Sequence, residues 1–497
     1  MKLNQLLIQA NISPIAHEFD GVVRGIAEDS RLVKKNDLFV CIQGTHYNGK
    51  KFIEEAIRKG AMGVVLEGSA RTVISKKIPQ IIVQDSRKSL AVLAHQFFGD
   101  PSKKIRVLGV TGTKGKTTTT YFIQSILKSR GDKVGLIGTI ACEIGEKIYP
   151  TANTTPSALI IANRLYKMVN VGCSWAVMEV SSHALALNRV WGLNIAGAVF
   201  TNLGRDHLDF HKTISNYFQA KRKLFIDFPA MQMRIINQDD FYGRKLTSEL
   251  KKKSVSYGIR NRSRYQAKRI ELLRGSSRFE VDHQKFEIFF PGLFNIYNAL
   301  ASIALTRELG VPWSTIREGL RRVPPVPGRL EKIELGQPFA IFVDYAHTPD
   351  ALQAALIAVR SWVGSNGHVI CVFGCGGDRD TGKRPLMGKI AASQADYVIL
   401  TSDNPRSESP QKIIQEILNG IPKTIQKNGV TLEEDRRFAI EKAIQRAQEG
   451  DVVLIAGKGH ETYQIIKDKK IHLDDRIEVK KALKNSLKSK SVLVSVS

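Results

Sequence analysis

Cysteine is scarce, five in 497 residues, an odd number and widely scattered, which argues against a disulfide framework. Long apolar runs are missing as well. Runs such as 369–373 fall far short of the roughly 18–20 residues a membrane span needs, so no membrane insertion is expected. The opening MKLNQLL lacks the apolar core of a secretory signal peptide. Together these absences predict a cytoplasmic protein. Acids are in short supply, 47 Asp and Glu against 74 Lys and Arg, a net charge of +27. That balance invites a nucleic-acid reading, yet no helix-turn-helix, zinc-knuckle or RNP-type pattern stands beside the basic runs. Residues 244–274 carry 11 Lys/Arg and two acids, Glu249 and Glu271, and read as a solvated surface. The same field attracts polyanionic small substrates. No repeats or low-complexity segments interrupt the chain, apart from a Ser/Lys/Val-rich tail expected to fray after Lys484.

What is present is globular. An apolar fraction of 43% builds real cores, and the length suits about three domains. Residues 1–100 mix strands (37–43, 61–66, 80–83) with a helix at 52–59, and Asp100-Pro101 breaks the chain. From residue 104 a strand, a glycine loop and a helix follow one another, with Gly131 as the stop. Strand-like runs at 134–137, 175–180 and 196–201 alternate with helical segments, which predicts a mostly parallel sheet with βα connections. After a proline-rich hinge at 323–329 the alternation resumes, with strands 339–343, 369–373, 397–400 and 452–455 and helices 349–359, 411–418 and 437–447. The expected class is α/β in three domains: a small α/β domain at 1–100, a central P-loop ATPase-like domain with a mostly parallel sheet at 101–325, and a Rossmann-like α/β domain at 326–497.

Thr111-Gly112-Thr113-Lys114-Gly115-Lys116-Thr117 sits between an apolar strand and a helix, the context that makes a phosphate loop credible. Glycines let backbone N–H groups turn onto phosphate, and the helix N-terminus adds its dipole. Lys116 would neutralise the β/γ-phosphates of ATP, and Thr117 offers a hydroxyl to Mg²⁺. A strict Walker A loop would carry glycine where this chain has Val110.

GTKGKTTT (112–119), TANTTP (151–156), MEVSSHALALNRV (178–190) and NLGRDHLDFH (202–211) together resemble the Mur ligase family. GLFNIYNALAS (292–302), VPGRLE (326–331), VDYAHTPDAL (343–352), GCGGDRDTGKRPLMG (374–388), DNPR (403–406) and AGKGHE (456–461) extend the likeness. With Asp29-Ser30-Arg31 it spans nearly the whole chain. Two departures stand out: Lys114 where the family usually has Asn, and Leu187 where some members have Gln.

The resemblance implies ligation of an amino acid to a cell-wall precursor at the expense of ATP, and matches the member that adds the third residue of the stem peptide. It implies two Mg²⁺ ions, with Thr117, Glu179, His207 and a Lys221 carrying a CO₂-derived carbamate as metal groups, and Lys116, Glu179, His207 and Lys221 as the catalytic set. Carbamylation would turn a cation into a carboxylate, although the adjacent Arg222 and Lys223 show how ordinary a surface lysine here would look. Ser30, Thr154, Thr155, Ser181 and Arg189 match contacts to UDP-N-acetylmuramoyl-L-alanyl-D-glutamate. Asn295 and Asn298 fall where the family contacts nucleotide, though turn or capping asparagines would look the same. Arg329 and Asp344 resemble groups that close over ATP.

DNPR, residues Asp403, Asn404, Pro405 and Arg406, matches the members that add meso-diaminopimelate. That amino acid is lysine with an extra carboxylate, and a guanidinium binds a carboxylate bidentately. A loop salt bridge is the ordinary alternative for Arg406. Arg379, Gly457 and Glu461 match the remaining contacts. Cys371 and Cys375 are expected to be buried structural thiols. A monomer with no nucleic-acid partner is expected. The same ligation with L-lysine, a folylpolyglutamate synthetase, and a nucleic-acid-stimulated NTPase are the alternatives.

Overall fold

The computed structural model describes residues 1–15, 20–44, 49–68, 78–228, 230–251 and 253–494, with side chains to residue 486. Lys252 of the basic run and residues 495–497 of the tail lie outside the described residues. The chain packs as two compact units, Met1–Thr111, Gly131–Val199 and Gln219–Arg234 in one, Gly112–Arg130, Phe200–Phe218 and Ile235–Ser497 in the other.

The first unit opens with a four-stranded parallel sheet in the order Gly25–Ala27, Asp37–Val40, Gly63–Glu67, Gln80–Val83. Alternation along each strand sends residues to opposite faces. Leu38, Val40 and Val65 therefore join Leu3, Leu6, Leu90 and Leu93 in one core, while Phe39, Val64 and Leu66 meet Ile53 and Ala56 in another. Helix Ser86–Phe97 starts on Asp85, whose carboxylate accepts from Arg87 N and Lys88 N. The chain then turns at Asp100, with φ 48°, and Pro101. Ile195–Phe200, Arg106–Thr111, Trp175–Glu179 and Val134–Ile137 follow in that order in a larger sheet, with Arg106–Thr111, Trp175–Glu179 and Val134–Ile137 paired in parallel. Two short antiparallel strands, Cys142–Ile144 and Lys147–Tyr149, extend this sheet. They turn at Gly145, whose φ of 59° suits a tight hairpin.

In the second unit, helices Lys116–Ser129 and Leu293–Glu308 accompany the parallel strands Met233–Asn237, Val255–Gly258 and Tyr265–Gln266. Its six-stranded sheet runs Glu331–Ile333, Ala340–Asp344, Val452–Ala456, Val369–Phe373, Tyr397–Leu400, Val430–Leu432. All neighbours but the first pair are parallel. Phe342, Cys371, Phe373 and Leu454 pack on one face and Ile341, Val343, Ile370, Val372 and Ile455 on the other, the double coverage of a Rossmann-like sheet. Cys371 and Cys375 are buried free thiols, as expected.

The basic run is a solvated surface, as expected: among the described residues its cations are exposed, save the half-buried Arg244. It forms helix Phe241–Leu250 and strand Val255–Gly258 and leads into an antiparallel sheet of Lys268–Leu272, Ser277–Val281 and Gln284–Ile288. Two of its cations pair locally, Arg264 with Asp282 and Arg269 with Glu280, each at 2.9 Å. The tail also differs from expectation: helix Asp475–Val494 continues past Lys484, because 484–494 holds neither Gly nor Pro to stop it. Among the described residues, no helix is long and apolar enough to cross a membrane.

Candidate active site

The phosphate loop leaves strand Arg106–Thr111 at the buried Thr111 and enters helix Lys116–Ser129 through Gly115. Gly115 has φ 85°, and a Cβ there would run into Asn298 Oδ1, so glycine is required on both counts. Asn202 holds the loop from outside: its carbonyl accepts from Thr113 N at 2.8 Å and its Oδ1 from Lys114 N at 2.9 Å. Thr201 Oγ1 donates to Lys114 O at 2.6 Å. Lys116 Nζ donates to Gly112 O (2.9 Å) and Thr113 O (3.1 Å), so its ammonium lies over the loop.

A cavity of about 440 Å³ opens beside the loop, the size of a small-molecule site. Lys114, Gly115, Asn298, Arg329 and Asp344 line it. Arg329 Nη2 donates to Thr117 Oγ1 at 3.1 Å, and its guanidinium stacks 4.8 Å from the ring centre of Tyr345. Asp344 accepts from Leu330 N at 2.7 Å. Burial pushes it above the usual carboxylate range, against the pull of Arg329. Asn295 does not line the cavity; it donates to Pro291 O and accepts from Asn298 Nδ2 at 3.1 Å, and so positions Asn298.

Three residues gathered here escaped the sequence reading: Asp206, His347 and Lys383. Asp206 Oδ2 lies 3.4 Å from Lys114 Nζ and 4.0 Å from His347 Nε2. Lys383 Nζ donates to His347 O at 2.7 Å. Burial works to raise Asp206, but the surrounding cations, Lys114 foremost, hold it well below the usual carboxylate range. His207 caps helix Leu208–His211 with φ 54°, its Nε2 3.8 Å from Asp206. Asp206 sits inside the DH pair, next to the histidine that the motif offers as a metal group.

The first unit gathers several of the remaining candidate residues at the end of strand Trp175–Glu179. Glu179 is 1% exposed and accepts from Thr139 N (2.8 Å) and Thr139 Oγ1 (3.0 Å). Thr154 Oγ1 lies 3.0 Å from Thr139 Oγ1, which accepts from it while donating to Glu179. Thr155 Oγ1 donates to Glu179 O and accepts from Ser181 N, and Arg189 Nη1 donates to Thr155 O at 2.8 Å. Ser181 caps the short helix Ser182–Ala186, which ends at Leu187. Glu28 joins this group: burial raises its carboxyl, opposed by a hydrogen bond from Ser157 and the charge of Arg189. Ser30, two residues on, donates to Glu55 Oε2 at 2.7 Å. Lys221 lies on helix Ile214–Ile226 and is 1% exposed, whereas Arg222 and Lys223 are half-buried.

Beyond strand Tyr397–Leu400, Asp403, Asn404 and Pro405 are buried and Arg406 half-buried, with φ 51°. Arg406 Nη1 donates to Gly377 O at 2.6 Å. A Cβ on Gly376 would press on Arg406 Nη1 and approach Arg379. Burial and then the like charge of Arg379 lower Arg406, against the attraction of Asp403 and Glu461. Glu461 accepts from Asn404 Nδ2 at 3.0 Å and from Lys458 Nζ at 3.1 Å. Gly457 has φ 119°, and a Cβ there would meet Asp403 Oδ2. Lys458, fully buried, is a further residue the sequence did not single out.

Three family models match the chain: "Mur ligase family, catalytic domain" over residues 22–98, "Mur ligase middle domain" over 110–306 and "Mur ligase, glutamate ligase domain" over 328–459. The UDP-N-acetylmuramoyl-L-alanyl-D-glutamate–2,6-diaminopimelate ligase of Clostridium tetani is 42% identical, covering 97% of this chain and 99% of its own. The ligase of that name from Syntrophomonas wolfei is 44% identical over 98% and 100%. A solved structure with the same name aligns at a TM-score of 0.67 and 31% identity, covering 98% of this chain and 99% of that one. MurF ligase from Thermotoga maritima, solved in complex with ADP, shares the fold at TM-score 0.63 and 21% identity, over 96% and 100%. With such relatives along its whole length and the phosphate loop in place, the chain belongs to the Mur ligase family.

Proposed function

We propose that this protein is the ATP-dependent ligase that joins meso-diaminopimelate to the D-glutamate side-chain carboxylate of UDP-N-acetylmuramoyl-L-alanyl-D-glutamate, in peptidoglycan synthesis. The observation that carries the reading is that Arg406 and Arg379 both border Gly376, with the charges of Asp403 and Glu461 acting on Arg406. Neighbouring cations invite the carboxylates of an amino acid, and the acids suit its ammonium groups. Lysine would leave one guanidinium without its anion.

The γ-phosphoryl group of ATP passes to the precursor carboxylate, giving an acyl phosphate and ADP. The amine attacks the acyl carbon and loses a proton, and phosphate leaves. Thr111 to Thr117, Asn298, Arg329 and Asp344 form the ATP site, with Asn295 supporting Asn298. Lys116 stabilises phosphate charge as it develops. Thr154, Thr155, Ser181 and Arg189 take the precursor, and Ser30 its UDP end. Arg379, the 403–406 loop, Gly457 and Glu461 take diaminopimelate. Three matched family segments support the division at 1–100, 101–325 and 326–497.

Two Mg²⁺ ions are assigned, the first to Thr117 and Glu179 and the second to His207, with Lys221 as its carbamate helping to hold Mg²⁺. Hydroxyl and carboxylate oxygens suit this hard cation, and the almost wholly buried Glu179 is such a carboxylate. When bound, the ions would neutralise phosphate charge. Burial sets Lys221 apart from its half-buried neighbours and supports carbamylation; ¹³C NMR after labelling with ¹³C-bicarbonate reads it directly. The local pairing of the basic residues supports a protein without a nucleic-acid partner, and a monomer is proposed.

The test is phosphate release by purified protein with ATP, Mg²⁺ and the UDP-muramoyl dipeptide, adding either meso-diaminopimelate or L-lysine. Release with diaminopimelate alone is expected. Equal release with lysine would remove the assignment of Arg406.

A further inference from the structure

Arg406 is held in a left-handed conformation, φ 51°, which strains a residue that carries a Cβ. Such a backbone persists only where its surroundings over-determine it. The surroundings here are the hairpin Tyr463–Ile466 and Lys469–His472. Arg406 N donates to Ile465 O at 3.0 Å and Lys467 N to Arg406 O at 2.7 Å, so the hairpin brackets this residue on both sides. Ile465 N also donates to Asn404 Oδ1 at 2.9 Å.

One side chain ties the other end of the loop to the same hairpin. Gln464 Nε2 donates to Asp403 O at 2.7 Å and to Ser402 Oγ at 3.3 Å. Gln464 is 5% exposed while both its strand neighbours are more open. A buried amide in a two-stranded ribbon is costly unless it is hydrogen-bonded, and its partners here are the residues that begin the 403–406 loop. Gln464 has no part in the motifs assigned to ATP, precursor or amino acid.

We propose that Gln464 is a positioning residue for amino-acid selection: it fixes the start of the loop so that Arg406, at its end, presents its guanidinium to the second carboxylate of the incoming amino acid. The inference rests on the reading of Arg406 as a diaminopimelate contact. Gln464 touches no substrate itself and acts through Arg406.

The test is a double-mutant cycle in steady-state kinetics with the full chain, using Gln464→Met, Arg406→Lys and the pair, with meso-diaminopimelate and ATP varied separately. Gln464→Met keeps the length and removes the donor. It is expected to raise KM for diaminopimelate about tenfold with KM for ATP unchanged, and to add almost nothing once Arg406 is lysine, since coupled residues are non-additive. The same fold-rise in both backgrounds, or an equal rise in the KM for ATP, overturns the positioning role. If Gln464→Met does not fold, Gln464→Glu, which keeps the shape and replaces the donor with an acceptor, is put through the same cycle. If Arg406→Lys alone leaves the KM for diaminopimelate unchanged, the reading of the amino-acid site falls, a result distinct from an effect of Arg406 that Gln464 does not share.

Discussion

Lys114 Nζ lies 3.4 Å from Asp206 Oδ2, so the segment after strand Ile195–Phe200 sets a carboxylate against the phosphate loop where that loop is expected to take an anion. The pair is only partly buried, with side-chain exposures of 27% and 13%, and solvent screens it. Nucleotide phosphate would compete with Asp206 for the same ammonium. Lys114→Asn, which restores the residue usual in the family, is therefore expected to cost about 1 kcal/mol of ATP binding, a roughly fivefold rise in the KM for ATP. The rise should shrink as ionic strength increases. Initial rates with varied ATP at two salt concentrations check this, and an unchanged KM at low salt would remove Lys114 from the nucleotide site.

Arg406 is the residue proposed to carry the choice of amino acid, and it is half-buried, with the like charge of Arg379 acting on it. Arg406→Ala should raise the KM for meso-diaminopimelate about 5- to 150-fold, the effect of about 1–3 kcal/mol for a charge-assisted contact. The KM for ATP should stay put. Competition between diaminopimelate and lysine, read by product mass, should show the preference narrowing.

The strands at 134–137, 369–373 and 397–400 were legible to the residue, because continuous apolar runs bounded by turn residues admit few other readings. Strands Ser277–Val281 and Gln284–Ile288 were not. Their turn, Asp282-His283, takes φ 47° and 61° without the Gly or Asn that normally announces it. The site divides in the same way. Lys116, Glu179 and Arg406 stand in motifs whose chemistry can be argued from residue type. Thr139, Glu28 and Gln464 are polar residues outside those motifs, and Asp206 stands inside one beside its histidine; the meaning of all four comes from what the fold places against them. Asn295 and Asn298 show both readings at once: Asn298 lines the cavity, and Asn295 bonds the turn at Pro291 and holds Asn298.

Arg436 and Asp475 form an ion pair with no exposure on either side, at 2.7 Å between Nε and Oδ1. Arg436 also donates to Ala456 O at 2.9 Å, next to Gly457. Removing one member of a buried pair strands the other, at a cost of about 3–5 kcal/mol. Asp475→Asn should lose that much in urea unfolding. Arg436→Met with Asp475→Leu should lose less than the single change, because no charge is left stranded. A double variant that is no better would mean that the bond to Ala456, not the ion pair, sets the stability here.

His95 is buried in helix Ser86–Phe97, and neither ring nitrogen has a hydrogen-bond partner among the described residues. Burial pulls it down to about 4, opposed only by Asp100, from an ordinary value of 6.5. A lowered histidine stabilises nothing by staying neutral above pH 6.5, where folded and unfolded chains bind the same number of protons. As pH falls from 6.5 toward 4, the unfolded chain takes a proton that the folded chain refuses, so stability drops across that window. At pH 5 the loss from these two values is about 2 kcal/mol. His95→Leu removes the titrating group and leaves an apolar side chain of similar reach, so its acid limb should be flatter by that amount. Urea denaturation of both proteins at pH 7.5 and pH 5 measures the difference. If the two proteins lose stability in parallel between those pH values, His95 is not the group that titrates, and the acid sensitivity lies elsewhere in the chain.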